Sequence, residues 1–320
     1  MKMKHYNIPI FVPHKGCPND CVFCNQKKIT GQTEENSFIE TEKIIEETLS
    51  TLKRPYYAEI AFFGGSFTGI PEKIQRGYLE IARRYVSDDK VDGIRLSTRP
   101  DYITPEILDM LKEYGVTAIE LGAQSMDDEV LIKNRRGHTA EMTKQATSLL
   151  KEYGFETGLQ MMTGMYGSDA QKDIFTGREI VELKPDTVRI YPTVVLGDTA
   201  LEKLFKSGEY IPPTLDETVE ICASLSRIFE ENNVKIIRMG LQSTDLICEK
   251  GGIIAGAYHS AFGELVKSRV MRDEIEEKVK LGEKIIVVPK NKRSIAIGQK
   301  KSNIRYIKEK YHVDIEVKGI

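Results

Sequence analysis

Tryptophan is absent from this chain, cysteine and histidine occur five times each, and no apolar run approaches the length needed to cross a bilayer. Five cysteines in 320 residues are too few for a disulfide framework. The start, Met1 to Asn7, is polar and basic, and the apolar stretch after it, Ile8 to Val12, is too short for a signal-peptide core or a membrane span. A cytoplasmic protein without a membrane partner is the expectation. Neither sign of charge is in excess, 46 Lys and Arg facing 48 Asp and Glu for a net of −2, so the total names no polyanionic partner. With 40% apolar and 29% charged residues the chain is neither disordered nor fibrous, and it has room for one large α/β domain or two ordinary ones.

The distribution of charge is informative where its sum is not. Residues 283–320 hold ten Lys and Arg against four acids, a net of +6, which leaves −8 on residues 1–282. A basic segment on an acidic body hints at contact with a polyanion.

Short apolar, β-branched runs recur near 8–13, 58–63, 92–97, 117–122, 156–162 and 186–191, with a seventh at 234–240. Amphipathic helical patterns fill the intervals, near 41–53, 71–86, 104–114, 139–153, 169–183 and 216–232, with entry signals at Pro71, Thr104-Pro105 and Asp216. Alternating βα units imply a parallel sheet with right-handed crossovers. About six such units predict an α/β fold, either a complete or partial TIM-like barrel or a doubly wound sheet. A barrel domain over 1–250, a Gly-rich linker and helix over 251–282 and a basic α+β module over 283–320 are the expected divisions.

The sharpest motif is GCPNDCVFCNQ, which spaces Cys17, Cys21 and Cys24 as CxxxCxxC just after the first strand. Three thiolates on one short loop converge on a soft metal centre. A structural zinc wants four closed ligands, and no fourth cysteine stands near; His14 is the close alternative, and His5 lies beyond the strand. Three protein ligands on a four-iron cluster leave one iron open for chemistry.

This spacing after the first strand of a βα-barrel resembles the signature of radical S-adenosylmethionine (radical SAM) enzymes. The resemblance implies a 4Fe-4S cluster, bound by Cys17, Cys21 and Cys24, whose open iron takes the methionine end of S-adenosylmethionine. One-electron reduction then yields a 5′-deoxyadenosyl radical that abstracts hydrogen from a substrate, with a reductase, flavodoxin or ferredoxin as electron donor. Other strand ends carry matching pieces, where a barrel places its active residues. Gly64-Gly65 after the second strand resembles the family's GGE stretch, with Ser66 where the acid is common. STRPD, with Ser97 and Arg99, ends the third strand; IELGAQS, with Gln124, ends the fourth; NRRGHT, with Arg136, follows. In order and spacing these resemble the radical SAM domain of the Elongator catalytic subunit and, more distantly, the oxygen-independent coproporphyrinogen oxidases. The likeness runs over about 8–245 and includes RIYPTVVLGDTALEKLFKSGEY at 189–210.

The resemblance implies cofactor contact for Gly64, Gly65, Ser66, Ser97 and Arg99, with Arg136 or Gln124 nearest the carboxylate or ribose. Phe23 falls at the family's aromatic position near the adenine, Met161 and Met162 are candidates for the adenine pocket, and Tyr191 for substrate contact or relay. Plain packing is the competing account of Phe23 and the methionines, and ion pairing that of the arginines. Cys222 and Cys248 read as buried thiols.

The basic segment reads strand, helix, Gly298-Gln299-Lys300-Lys301, helix, strand. This resembles a minimal KH domain, whose GxxG loop clamps single-stranded RNA, except that Lys301 replaces the final glycine. Lys292, Arg293, Lys300, Lys301 and Arg305 are the candidate RNA contacts; a solvated basic cap on the barrel is the other account. The Elongator subunit spaces its first two cysteines more widely and carries an acetyltransferase domain, for which no room is expected here, so acetyl-CoA chemistry does not carry over. The leading expectation is a radical SAM enzyme that modifies RNA, with tRNA and its uridines the first candidates. A radical enzyme on a small metabolite and an RNA-binding protein with a structural or redox-sensing cluster are the alternatives.

Overall fold

The computed structural model describes residues 4–12, 21–25, 38–88, 90–242, 247 and 251–320. Six strands alternate with helices: β1 (Lys4–Val12), α1 (Phe38–Thr51), β2 (Tyr56–Gly64), α2 (Glu72–Ser87), β3 (Gly93–Thr98), α3 (Pro105–Glu113), β4 (Val116–Gln124), α4 (Asp128–Lys133), α5 (Ala140–Glu152), β5 (Glu156–Thr163), α6 (Ala170–Glu182) and β6 (Thr187–Pro192). They are followed by β7 (Val194–Leu196), α7 (Ala200–Ser207), α8 (Leu215–Glu231), β8 (Lys235–Met239) and β9 (Ile253–Gly256). The main sheet has seven strands in the order β1-β2-β3-β4-β5-β6-β8, every pair parallel, and curls into an open half-barrel. The barrel expectation therefore holds in its partial form.

Strand alternation divides the sheet into two faces. Ile60, Phe62, Ile94, Leu96, Ile119, Leu121, Leu159 and Ile190 join the main apolar cluster with helix residues such as Leu79, Leu108, Leu150, Ile180, Leu225 and Phe229. On the opposite face Glu59, Arg95, Glu120, Glu156 and Arg189 carry charge. Arg95 donates to Glu59 at 3.0 Å, to Glu120 at 3.3 Å and to Glu156 at 2.7 Å. Arg189 donates through two nitrogens to Glu120, and His5 Nε2 lies 2.8 Å from Glu59 Oε2. Six neighbouring strands are thus laced by one ionic ladder below the strand ends, with Glu59, Arg95 and Glu120 at most 3% exposed. Burial works against the charge of Arg95, but the surrounding carboxylates outweigh it and hold its pKa above the usual guanidinium value. Gly158 makes room for this layer, since a Cβ there would stand 2.9 Å from both Glu120 Cγ and Thr187 Oγ1.

The C-terminal part comprises α9 (Phe262–Lys280), β10 (Ile285–Val288), α10 (Arg293–Ile297), α11 (Ser302–Tyr311) and β11 (Glu316–Gly319), with β10 and β11 paired in parallel. Its own apolar cluster gathers Ile286, Val288, Ala296, Ile307, Ile315 and Val317. Helix α9 serves both parts: Phe262 and Val266 lie in the main cluster, and Met271, Ile275 and Val279 in the second. Two polar clasps fix the tail to it. Asn303, 1% exposed, donates to the Ser268 carbonyl at 2.9 Å. Glu276 accepts from Lys310 at 2.7 Å, Tyr311 at 2.9 Å and Tyr306 at 3.1 Å. The Gly-rich stretch near 251–256 is more than a joint, because β9 within it pairs antiparallel with β7.

Candidate active site

The described turn of the cysteine loop, residues 21–25, sits against the C-terminal ends of the strands. Its shape is set by Cys24 N donating to the Cys21 carbonyl at 3.0 Å. Val22 anchors it on both sides: its N donates to the Asn134 carbonyl at 3.3 Å, and its carbonyl accepts from Leu201 N at 2.7 Å. Asn25 adds a bond to the Gly197 carbonyl at 3.2 Å. Cys21 is buried and Cys24 half-buried. Cys17 lies outside the described residues, and among the described residues no group of three metal-ligating side chains is found.

Cys21 meets the loop that follows α4. Arg136 Nη1 lies 3.3 Å from Cys21 Sγ, and Nη2 donates to the Gly122 carbonyl of β4 at 2.8 Å. Arg99, from the end of β3, donates to the Arg136 carbonyl at 2.5 Å and pairs with both carboxylate oxygens of Asp101, at 2.9 and 2.8 Å. Ser66 accepts from Arg99 N at 3.2 Å and lies 2.8 Å from Thr98 Oγ1, tying the end of β2 to that of β3. The Gly64-Gly65 turn that delivers Ser66 needs glycine at its first position, where φ is +110°. Gln124 closes β4 with φ +65° and accepts from Gln160 Nε2 at 3.4 Å. Gly122 leaves open backbone between Gln124 and Arg136; a Cβ there would come within 3.0 Å of Gln124 Nε2 and 3.5 Å of Arg136 Nη2.

Cys21, Ser66, Arg99, Gly122, Gln124 and Arg136 are thereby linked at one end of the sheet. Ser97 and Tyr191 are half-buried, and by alternation they lie on the face that carries the ladder. Phe23 packs with Val22, Val195, Leu201, Tyr210 and Tyr166 in a satellite apolar cluster, which fixes the loop from the β7 and α7 side. Met161 departs from expectation. It is fully buried in the main cluster, on the helix-facing side with Leu159, so packing accounts for it and alternation gives the other face to Met162. Lys292, Arg293, Lys300, Lys301 and Arg305 are all exposed on the tail. Lys300 and Lys301 bridge α10 and α11 in left-handed conformation, φ +50° and +61°, and Gly298 before them admits no side chain because a Cβ would stand 2.3 Å from Ser302 Oγ. The 19 residues of α9, about 28 Å at helical rise, lead from the barrel to this patch.

Three polar residues that sequence reading passes over complete the site. Asn134, fully buried, donates to the Val130 and Tyr166 carbonyls, both at 2.8 Å, while its own carbonyl holds Val22. Asp173 accepts from Gly164 N at 2.8 Å and from Ser168 Oγ at 2.6 Å, and burial pushes its carboxyl up to about 6. His138 lies 3.2 Å from the Ala123 carbonyl, and burial, helped by the Arg136 charge, brings its pKa down to about 4. Asn134 and His138 belong to NRRGHT, so that motif marked their neighbourhood. Cys222 is a core thiol pushed up to about 12 by burial, and Cys248 lies outside the described residues.

These shifts carry opposite pH dependences. His138 protonates in the unfolded chain below pH ~6.5 but in the fold only near 4, so its contribution is lost as pH falls across that window, by about 3 kcal/mol in full. Asp173, raised to about 6, works the other way: ionising it costs stability as pH rises through that value. His138→Gln is expected to lose less stability than the parent between pH 7 and 4.5, read by denaturant midpoints at each pH. Parallel profiles of parent and variant would show that His138 titrates normally.

The family described as "Radical SAM superfamily" matches residues 11–175, and the "Radical_SAM C-terminal domain" matches 185–272. A tRNA uridine(34) acetyltransferase of Methanocaldococcus jannaschii is 37% identical over 174 residues, which is 53% of this chain and 31% of that protein. Human Elongator complex protein 3 is 28% identical over 208 residues, 59% of this chain and 38% of its own. The chain thus spans about a third of the length of the curated relatives it matches. Among solved structures, the archaeal Elp3 of Methanocaldococcus infernus superposes with a TM-score of 0.66 at 22% identity, covering 88% of this chain and 64% of that one. No helix among the described residues is long and apolar enough to cross a membrane.

Proposed function

Because the chain belongs to the radical SAM superfamily, we propose that Cys17, Cys21 and Cys24 hold a 4Fe-4S cluster that binds S-adenosylmethionine, and that this enzyme modifies RNA, tRNA first. The observation that carries the cofactor reading is the meeting of Cys21 Sγ with the Arg136 guanidinium over the open backbone of Gly122, between residues 115 positions apart in sequence. The donor set fits the group: two thiols on one anchored turn, fixed guanidinium groups beside them, and strand ends free of side chains at Gly122 and Gly64. When bound, the cluster supplies the electron that cleaves S-adenosylmethionine and starts radical chemistry on the substrate.

The chain's own residues then bind and orient. Arg136 and Gln124 stand where the cofactor's carboxylate or ribose would be received, Gly64 and Gly65 let backbone approach its amino group, and Ser66 fixes that turn against Thr98. Ser97 and Tyr191 would face substrate from the ladder side, and Phe23 seals the loop against the α7 cluster. A flavodoxin or ferredoxin is the electron donor this chemistry calls for.

Two features support RNA as substrate: the names of the relatives, and the exposed Lys292, Arg293, Lys300, Lys301 and Arg305 of the tail, a KH-like βααβ module on this reading. The barrel over 1–250 does the chemistry and the module over 283–320 holds the nucleic acid, in a cytoplasmic enzyme. The test is anaerobic: reconstituted full-length protein, dithionite and S-adenosylmethionine, with 5′-deoxyadenosine measured with and without bulk tRNA. Release that rises with tRNA is expected. Release indifferent to tRNA would favour a small metabolite, and none from an intact reduced cluster would favour an RNA-binding protein with a structural cluster. Charge reversal at Lys300, Lys301 and Arg305 together is expected to weaken tRNA retention at least about tenfold and to flatten its salt dependence, by a slope of about 0.7 for each phosphate no longer neutralised. Unchanged retention would remove the tail from the RNA reading.

A further inference from the structure

We infer that Arg136 sets the reduction potential of the cluster, acting through Cys21 as a fixed cationic donor to one ligating sulfur. The inference rests on the cluster reading above and gives a separate task to a side chain outside the ligand set. Its basis is geometric. Arg136 Nη1 lies 3.3 Å from Cys21 Sγ, and the guanidinium cannot swing away because Nη2 is bonded to the Gly122 carbonyl at 2.8 Å. The backbone beneath it is held as firmly: Arg136 N donates to the Leu131 carbonyl at 3.0 Å, and the Arg136 carbonyl receives Arg99 Nη2 at 2.5 Å. The residue is 6% exposed, so water does little to screen its charge.

Reduction of the cluster adds one electron, taken from an external reductant, with no bond made or broken and no proton moved. A cluster on three thiolates becomes more anionic by one charge in that step. A guanidinium stays cationic at every working pH, so at short, fixed range it stabilises the reduced state more than the oxidised one. Hydrogen bonds to the sulfurs are among the recognised levers on cluster potential. Arg99 is one residue away in this network, yet its fork is committed to Asp101, which balances its charge locally. Among the described residues Arg136 is the cation that touches the sulfur.

The test compares parent, Arg136→Lys and Arg136→Gln as full-length reconstituted proteins, without S-adenosylmethionine, titrated with dithionite and mediators and read by electron paramagnetic resonance. For Arg136→Gln the ratio of reduced to oxidised cluster at a fixed poise is expected to fall about tenfold, a downward shift of about 59 mV for one electron. Arg136→Lys keeps the charge but cannot reach sulfur and carbonyl together, and is expected to fall between the other two. Should the glutamine variant retain no iron, the lysine variant alone decides, a severalfold fall being expected. Equal potentials at equal iron content would overturn the assignment and leave Arg136 a purely structural clamp. A parent protein that assembles no cluster would instead sink the reading on which the inference rests.

Discussion

Arg95→Leu is expected to cost about 3–5 kcal/mol of folding stability, the range for removing one partner from a buried ion pair. Arg95 touches Glu59, Glu120 and Glu156, and two of these carboxylates are as buried as it is. Glu120 keeps Arg189, but Glu59 is left with His5, whose side chain is 42% exposed, and with the Thr117 hydroxyl at 3.2 Å. A fully buried carboxylate thereby loses its principal cation, and desolvation is no longer offset. Denaturant unfolding reads the effect as a lowered midpoint at unchanged slope. Adding Glu59→Gln to Arg95→Leu should recover part of the loss, because the stranded charge is then gone. A loss below about 1 kcal/mol would mean that water enters the ladder and replaces the guanidinium.

Cys21→Ala and Cys24→Ala should each abolish iron retention and S-adenosylmethionine cleavage while leaving the fold intact. Even outer partners of a metal ligand are worth 10–100-fold in affinity or activity, so a ligand itself should cost more than about a hundredfold. Structural damage should be slight, because the turn's anchors are backbone bonds from Val22 to Asn134 and Leu201, which an alanine leaves in place. Cys222→Ala is the informative contrast: that thiol is fully buried in the main cluster, so its loss should lower stability and spare the iron. Iron per chain and the thermal midpoint, measured together, separate the two classes. Iron retained by Cys21→Ala would remove the residue from the ligand set.

The strand and helix order was legible because burial in a parallel sheet writes itself as short apolar runs, and observed strands such as Tyr56–Gly64 and Glu156–Thr163 overlap the expected ones closely. The phase within a run is harder. In ETGLQMM alternation sets Thr157, Leu159 and Met161 against Glu156, Gly158, Gln160 and Met162, but two methionines side by side at the strand end hide this phase, and register beside Ile190 shows that Met161 enters the core. The ladder was hidden for a related reason: Glu59, Arg95 and Glu120 are scattered charges in the sequence, and pairing exists only once neighbouring strands fix their heights. The short elements β7, α7 and β9 lack the length for a periodic signal, and the β7 and β9 partners stand some sixty residues apart. At the site, spacing exposed the cysteines and NRRGHT, whereas the role of Asn134 as a hub depends on contacts with Val22 and Tyr166 that no local pattern encodes.

Helix α9 also sets a phase. Its last buried side chain in the main cluster, Val266, and the first in the second, Met271, are five residues apart, with half-buried Val270 also packed on the main cluster, and Ser268 between them faces the Asn303 amide. One residue added in that interval would turn the tail about 100° against the barrel and advance it about 1.5 Å, breaking the clasp. Four added residues would bring the two stripes nearly back into step at about 6 Å greater reach. The helix therefore works as a keyed shaft, in which length changes are admissible only in near-whole turns and the distance from basic patch to strand ends is quantised rather than continuously adjustable.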